Sequence, residues 1–410
     1  MKSEIIRNRM ANAIITLIKP DYTPLANQEV TIAQTHHKFL FGTAAFDLIP
    51  FVNGLYSGQA GEQAEQRAEK LTELFNAATL PFYWTRFEQE RGKPMTNEVE
   101  HAARWCMDHA LVTKGHPLCW HTLTADWLLS MSNTEILHAQ TDRIRREVSD
   151  FRGLIDMWDV INEAVIMPIF DKYDNGITRL CKDLGRINTI KLMFETARAE
   201  NPTATLLIND FDVSPAYDIL VEGCLEAGIK IDAIGIQSHM HQGYWGVEKT
   251  LWVLENFARF KLPIHFTETT LISGHLMPPE IVDLNDYQVS DWPTTPEGED
   301  RQTREAIQHY ETLFAHPLVE GITWWDMSDG GWLNAPAGLI RKDGSSKPAY
   351  DELLKRIKGE WWIPPTQLIT DANGRIQFYG FLGDYVLTYE QAKMSFSLTR
   401  ENATGIEIHL

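Results

Sequence analysis

No run of eighteen apolar residues occurs in this chain, so nothing in it is long enough to cross a bilayer as a helix. Basic residues are scarce. The 37 Lys and Arg stand against 56 Asp and Glu, for a net charge of −19 at pH 7. Phosphate backbones and anionic lipid surfaces are bound by basic patches, so neither nucleic acid nor a membrane is an expected partner. There are only four cysteines, Cys106, Cys119, Cys181 and Cys224. No two form a Cys-x-x-Cys pair, and their apolar surroundings mark them as reduced, buried thiols. The first ten residues carry basic groups but no apolar stretch of signal-peptide length. That favours a cytoplasmic location, although a secreted chain whose leader had been removed would read the same. Repeats, low-complexity tracts and long linkers are also missing.

What the chain does have is length and rings. Its 410 residues suffice for one large domain plus a smaller appendage, and it carries 13 Trp, 12 Tyr and 18 Phe. Such rings fill a core, and they also stack on sugar faces. From residue 39 onward short apolar runs alternate with longer stretches of helical period. The runs are 39–44, 79–84, 112–120, 157–161, 205–208, 233–236, 264–267 and 322–325. Between them lie amphipathic stretches at 62–75, 99–110, 134–151, 186–200, 215–227, 247–260 and 300–315, with a last one at 350–357. Eight strand–helix units in this order predict a (β/α)8 barrel. A doubly wound open sheet is the alternative, but no Gly-rich phosphate loop follows any run.

The ends read differently. Residues 11–38 suggest two strands around a turn, and 366–410 alternate similarly, with Asp371-Ala-Asn-Gly374 as a hairpin-type turn. The expected organisation is an N-terminal β segment (1–38), a catalytic barrel (39–358) and a C-terminal β segment (359–410). The two β segments are expected to pair into one small β-sandwich built from both termini.

In such a barrel the polar residues at the C-terminal ends of the strands gather at one face. That face would collect Trp120-His121, Asn162-Glu163, Asn209-Asp210, Gln237-Ser238-His239, Glu268 and Trp325, with Asp329 and Trp332 just beyond. Any one of them could be a loop cap or a plug. Six successive strands ending in carboxylate, carboxamide, imidazole or indole groups are hard to explain separately. Two carboxylates, Glu163 and Glu268, are the minimum equipment for glycosidic cleavage: one protonates the leaving oxygen and the other attacks the sugar carbon.

Specific motifs carry a resemblance over roughly 39–357. They are Lys-Gly-His-Pro-Leu-Cys-Trp-His (114–121), Trp-Asp-Val-Ile-Asn-Glu-Ala (158–164), Leu-Ile-Asn-Asp-Phe (207–211), Gly-Ile-Gln-Ser-His (235–239), Phe-Thr-Glu (266–268) and Trp-Trp-Asp-Met-Ser-Asp-Gly-Gly-Trp-Leu (324–333). The chain thereby resembles glycoside hydrolase family 10, the endo-β-1,4-xylanase family. The resemblance implies a retaining double displacement with Glu163 as acid/base and Glu268 as nucleophile. It makes His239 the partner of the nucleophile and Asn162 the ligand of the sugar 2-hydroxyl. His121 and Gln237 would bind hydroxyls of the same sugar, and Asn209 would lie near the acid/base. Trp120, Trp325 and Trp332 would line the sugar site. The implied substrate is xylan or xylo-oligosaccharide, and neither a metal nor an organic cofactor is expected.

Two departures stand out. The family usually ends its second strand with a Glu-Asn pair followed by a Lys, groups that hold the sugar two positions toward the non-reducing end. Here Phe82 and Tyr83 take the places of the pair and Arg86 that of the Lys. Stacking would then replace hydrogen bonding, and Arg is not a neutral exchange for Lys. The second departure is Thr270, which stands where the family commonly has an Asp supporting the histidine, so His239 is expected to lose an orienting anion and the pH optimum to move down. Two other readings remain open: a retaining β-glycosidase for another glycone, and a carbohydrate-binding barrel without catalysis.

Overall fold

The protein is described by a computed structural model over residues 2–410. Two strands, β1 (Met10–Ile18) and β2 (Glu29–His37), precede eight that close into a barrel. The barrel strands are β3 (Leu40–Ala44), β4 (Ala77–Pro81), β5 (Val112–His116), β6 (Met157–Asn162), β7 (Thr205–Asp210), β8 (Ala233–Met240), β9 (Ile264–Leu271) and β10 (Val319–Asp326). Their pairing is parallel and follows chain order, with β10 closing onto β3. Helical segments follow every barrel strand and cover the outside. All eight residues of β9 are buried. Strands buried on both faces read as continuous apolar runs rather than alternating ones, which is why these eight were visible from sequence.

Local signals hold the outer layer in register. The helix Asn133–Asp150 starts with a capping box, in which Ser132 Oγ accepts from the Glu135 amide and the Glu135 carboxylate accepts from the Ser132 amide. The helix Pro215–Glu226 has Ser214 as its cap and Pro215 in its first turn. Several strand boundaries differ from expectation: β8 and β9 run four residues past their expected ends, so His239 and Glu268 lie within strands, and β10 starts three residues earlier. The second barrel strand lies earlier, at 77–81, and Trp84 opens a short helix, Trp84–Phe87, instead of ending the strand. The third stops at His116, because Pro117 offers no amide for the ladder. Trp120 and His121 are therefore loop residues.

The termini form the expected two-layer module. Strands β11 (Thr366–Ile369), β12 (Arg375–Phe381), β13 (Gly383–Tyr389), β14 (Ala392–Leu398) and β15 (Ile406–His409) complete two sheets, in the orders β12-β1-β15 and β11-β2-β13-β14. Between the sheets lies one apolar cluster that includes Ile15, Leu17, Ile32, Ile376 and Leu387. The Asp371–Gly374 turn is present, with Asp371 Oδ1 accepting from the amides of Asn373 and Arg375. It is not a hairpin, however, since β11 pairs with β2 while β12 pairs with β1.

This module sits on the N-terminal end of the barrel, because β2 leads directly into the start of β3. The seam is aromatic: Phe39 meets Phe314 at 5.0 Å, Phe314 meets Trp361 at 4.6 Å, and His37 meets Phe381 at 5.8 Å. Arg9 lies over the Phe39 ring and donates to the carbonyls of Phe314, His316 and Val319. A depression of about 340 Å³ lined by Val112, Met157 and Thr205 also opens at this end, the face of a barrel that serves stability. The C-terminal mouth stays uncovered by the module. Replacing Leu387 with Ala should cost about 2–5 kcal/mol, as for other large-to-small core changes. Urea denaturation would show this, and an unchanged midpoint would contradict a shared core between the sheets.

Candidate active site

Glu163 is the residue after β6, and its backbone is left-handed, with φ 55°. A non-glycine residue pays of order 1–2 kcal/mol to stay there, so the surrounding structure must hold it. The Glu163 amide donates to the Asn209 carbonyl at 2.8 Å. At the other end of the side chain, Trp120 Nε1 donates to Oε2 at 2.8 Å and Asn162 Nδ2 to Oε1 at 3.3 Å. His121 Nε2 lies 4.0 Å from Oε2. The carboxyl is 14% exposed. Burial raises its pKa to about 8. The Trp120 hydrogen bond opposes that rise, and the charges of Asp210 and Glu268 add to it.

Glu268 lies within β9, across the barrel mouth. Asn209 Nδ2 donates to its Oε1 at 3.0 Å, and His239 Nε2 lies 2.9 Å from its Oε2. Burial pushes this carboxyl up as well, but His116, His239 and Lys114 outweigh burial and hold it below the usual carboxylate range. The two glutamates thus diverge, one staying protonated near neutrality and the other ionised.

A carboxamide network joins them. Asn162 Oδ1 accepts from Asn209 Nδ2 at 2.8 Å and from Gln237 Nε2 at 3.0 Å, and Asn209 Oδ1 accepts from Thr267 Oγ1 at 2.6 Å. A side chain at position 235 would leave no room for this, since a Cβ on Gly235 would lie 2.4 Å from Asn209 Oδ1. Asn209 was expected near the acid/base. Its carbonyl does meet the Glu163 amide, while its side chain bridges Asn162 and Glu268.

The orienting contact of His239 survives in neutral form, since Thr270 Oγ1 lies 2.8 Å from its Nδ1. A neutral imidazole satisfies both partners by donating from Nε2 to Glu268 and accepting from the Thr270 hydroxyl at Nδ1. An Asp would have required a proton on Nδ1.

Three functional-looking residues escaped the sequence reading. His116 Nδ1 lies 2.7 Å from Asp159 Oδ2, and its Nε2 is 3.8 Å from Glu268 Oε1. Lys114 Nζ donates to the same Asp159 oxygen at 2.7 Å. All three lie inside the motifs at 114–121 and 158–164. Their alternation along β5 and β6, inward every second residue, was the signal that could have found them.

Other expected residues divide. His121 is buried against Phe170, with ring centroids 4.5 Å apart, and burial lowers its pKa to about 4. Trp325 packs edge-on to His116 at 5.3 Å, and Trp332 tilts over His239 at 4.6 Å. Tyr83 adjoins Trp120 and His116 in the mouth. Phe82 faces away, packed on Phe87, Phe151 and Trp158, so it offers no stacking surface to a ligand. Arg86 is exposed on the short helix. Asp329 is tied 2.5 Å from the buried Lys347 ammonium and is structural. Across the mouth, Lys172 in the loop after β6 pairs with Asp283 and Asp286 in the loop after β9, at 2.5 and 2.9 Å. Among the described residues no group of three or more His, Cys, Asp or Glu is placed to hold a metal ion.

Two outcomes follow from these contacts. Folding raises the Glu163 pKa from its usual 4.5 to about 8, so the folded state binds the extra proton between those values and loses stability as pH rises through them. E163Q should therefore gain stability over the parent as pH rises from 4.5 to 8, read from denaturation midpoints. A constant difference across that range would refute the elevated pKa. In T270D the His239 ring should place a proton on Nδ1 facing the new carboxylate, visible in its ring ¹⁵N shifts, and identical shifts would show that residue 270 does not set where the ring holds its proton.

Known proteins share this sequence pattern and fold. The profile described as Glycosyl hydrolase family 10 matches residues 52–356. Endo-1,4-beta-xylanase 1 of Arabidopsis thaliana is 23% identical over 99% of this chain and 40% of its own length. Anti-sigma-I factor RsgI6 of Acetivibrio thermocellus is 23% identical over 97% of this chain and 47% of its own. The chain thus spans less than half the length of these curated relatives. Xylanase 10B from Thermotoga petrophila, crystallised with xylobiose, shares the fold with a TM-score of 0.62 and 22% identity, over 78% of this chain and 95% of that one. With a match over most of its length, the chain belongs to glycosyl hydrolase family 10.

Proposed function

We propose that the protein is a retaining glycoside hydrolase acting on β-1,4-xylosidic bonds of xylan or xylo-oligosaccharides. One observation carries this reading: two carboxyls at one barrel mouth are driven in opposite directions, Glu163 up to about 8 and Glu268 down. Double displacement needs that pair of protonation states. The xylan preference rests on family membership and on the relatives named endo-1,4-beta-xylanase.

In the first step Glu268 attacks the anomeric carbon while Glu163 gives its proton to the leaving oxygen, producing a glycosyl ester on Glu268. In the second, Glu163 takes a proton from water, whose oxygen attacks the same carbon and frees Glu268. Two inversions return the original configuration. Asn162 Nδ2, which reaches toward Glu163, is the donor offered to the sugar 2-hydroxyl, a contact that should strengthen as the ring becomes oxocarbenium-like. His239 and His116 keep the nucleophile ionised. Trp120 limits the rise of the Glu163 pKa and so keeps its proton transferable.

Incubation with xylan, xylo-oligosaccharides and cello-oligosaccharides, followed by ¹H NMR, should show the β-anomer forming first from a xylose-based substrate. A first-formed α-anomer would remove the double displacement, and no turnover of xylose-based substrates would remove the xylanase reading. E163Q should lower kcat roughly 10²–10⁴-fold, the usual worth of a general acid. The kcat/KM profile should fall on its alkaline side near pH 8 as Glu163 loses its proton, and on its acid side below the ordinary carboxylate range as Glu268 gains one.

A further inference from the structure

The sector of the mouth opposite Glu163 is built from rings. In the barrel order β10 lies directly across from β6, with β3 beside it and β4 one strand further round. Trp325 near the end of β10, Phe46 just after β3 and Tyr83 just after β4 supply the rings. Phe46 meets Trp325 edge-on at 5.4 Å and Tyr83 edge-on at 5.7 Å. His116 closes the circle, edge-on to Tyr83 at 5.7 Å and to Trp325 at 5.3 Å. Edge-to-face rings at these spacings are in van der Waals contact. A sugar stacked between two rings needs about 3.5–4 Å on each side, hence roughly 7–8 Å between ring planes, and neighbouring members of this circle are not that far apart.

Direction follows from the proton donor. An acid protonating the leaving oxygen stands on the aglycone side of the anomeric carbon, so the sugar that keeps that carbon extends away from it. With Glu163 after β6, the glycone points toward β10, β3 and β4, where the wall stands. The groups by which the family holds a second sugar there have been replaced or redirected. Phe82 is packed in the core, Arg86 is exposed on its helix, and Tyr83 is part of the wall. Among the described residues the Tyr83 hydroxyl has no hydrogen-bond partner, and burial and the charges of Glu268, Asp326 and Glu163 keep it protonated. It is therefore a free donor beside the sugar site. Asp326, at the end of β10, uses Oδ2 to accept from the Trp332 amide.

We infer that the Phe46–Tyr83–Trp325 wall ends the glycone side after one sugar, so that the enzyme releases single residues from the non-reducing end of short β-linked xylosides rather than cutting within a chain. This rests on the proposed roles of Glu163 and Glu268. The wall excludes a second glycone unit by contact, and the Tyr83 hydroxyl binds a terminal hydroxyl that a longer chain would carry in glycosidic linkage.

The test compares 4-nitrophenyl β-xyloside with 4-nitrophenyl β-xylobioside, and 4-nitrophenyl β-glucoside with 4-nitrophenyl β-cellobioside, together with early products from xylohexaose. The monoglycoside of the preferred sugar should have a kcat/KM at least equal to that of its diglycoside, and xylose should be the first small product. In a Phe46→Gly, Tyr83→Asn double variant, with folding checked by circular dichroism, the ratio should move at least tenfold toward the diglycoside. A parent enzyme that favours the diglycoside tenfold or more, or that first releases xylobiose and xylotriose, overturns the wall while leaving retaining hydrolysis intact. Turnover of no substrate in the panel overturns the hydrolase reading and the wall with it.

Discussion

Asn209 is fully buried at the end of β7 and binds the two halves of the site together. Its amide donates to both Asn162 and Glu268, while its carbonyl receives the amide of Glu163. A buried carboxamide must satisfy its donors and acceptor or pay for each one missed, so its orientation is fixed once Thr267 fills the remaining position. Fixing Asn209 fixes Asn162 and one oxygen of Glu268, and holds Glu163 in its left-handed backbone. Only a closed ring of strands brings the ends of β6, β7 and β9 close enough for one side chain to touch all three segments.

On that frame the difference between the two glutamates is electrostatic. Both are largely buried, and burial raises both carboxyls. Glu268 escapes because cationic and hydrogen-bonding groups converge on it from β5 and β8. Glu163 has an indole N–H and two nearby carboxylates instead. The inward-facing chain Lys114–Asp159–His116 runs up the barrel axis toward Glu268. Charge buried in this way is held by pairing, which ties the chemistry of the mouth to the packing of the barrel interior.

The rest of the molecule keeps away from this centre. The two-sheet module built from both termini docks on the opposite end through an aromatic seam and Arg9. The outer helices are fixed by ordinary caps. Departures from the family's habits fall in the mouth: Thr270 leaves His239 oriented by a neutral hydroxyl, and Tyr83 joins a ring wall where polar groups are usual. Both alter the lining of the mouth more than the placement of the carboxyls.

Sequence alone determined the eight strand–helix units, because strands covered on both faces are continuous apolar runs and the helices between them carry 3.6-residue periodicity and legible caps. It also singled out Glu163 and Glu268, since chemistry-bearing residues there interrupt runs that packing would otherwise keep apolar, although Glu268 lies inside β9 rather than at its end. Tertiary structure decided what chain order cannot encode. Asn209 turned toward Glu268, Phe82 turned into the core while its neighbour Tyr83 stayed in the mouth, and Lys114, Asp159 and His116 formed a line inside the barrel. The Asp371–Gly374 turn likewise passes between two sheets rather than closing a hairpin. Each of these depends on which residues from distant strands meet. That is set by the closure and register of the barrel and by sheet pairing between the two ends of the chain, interactions with no local signature.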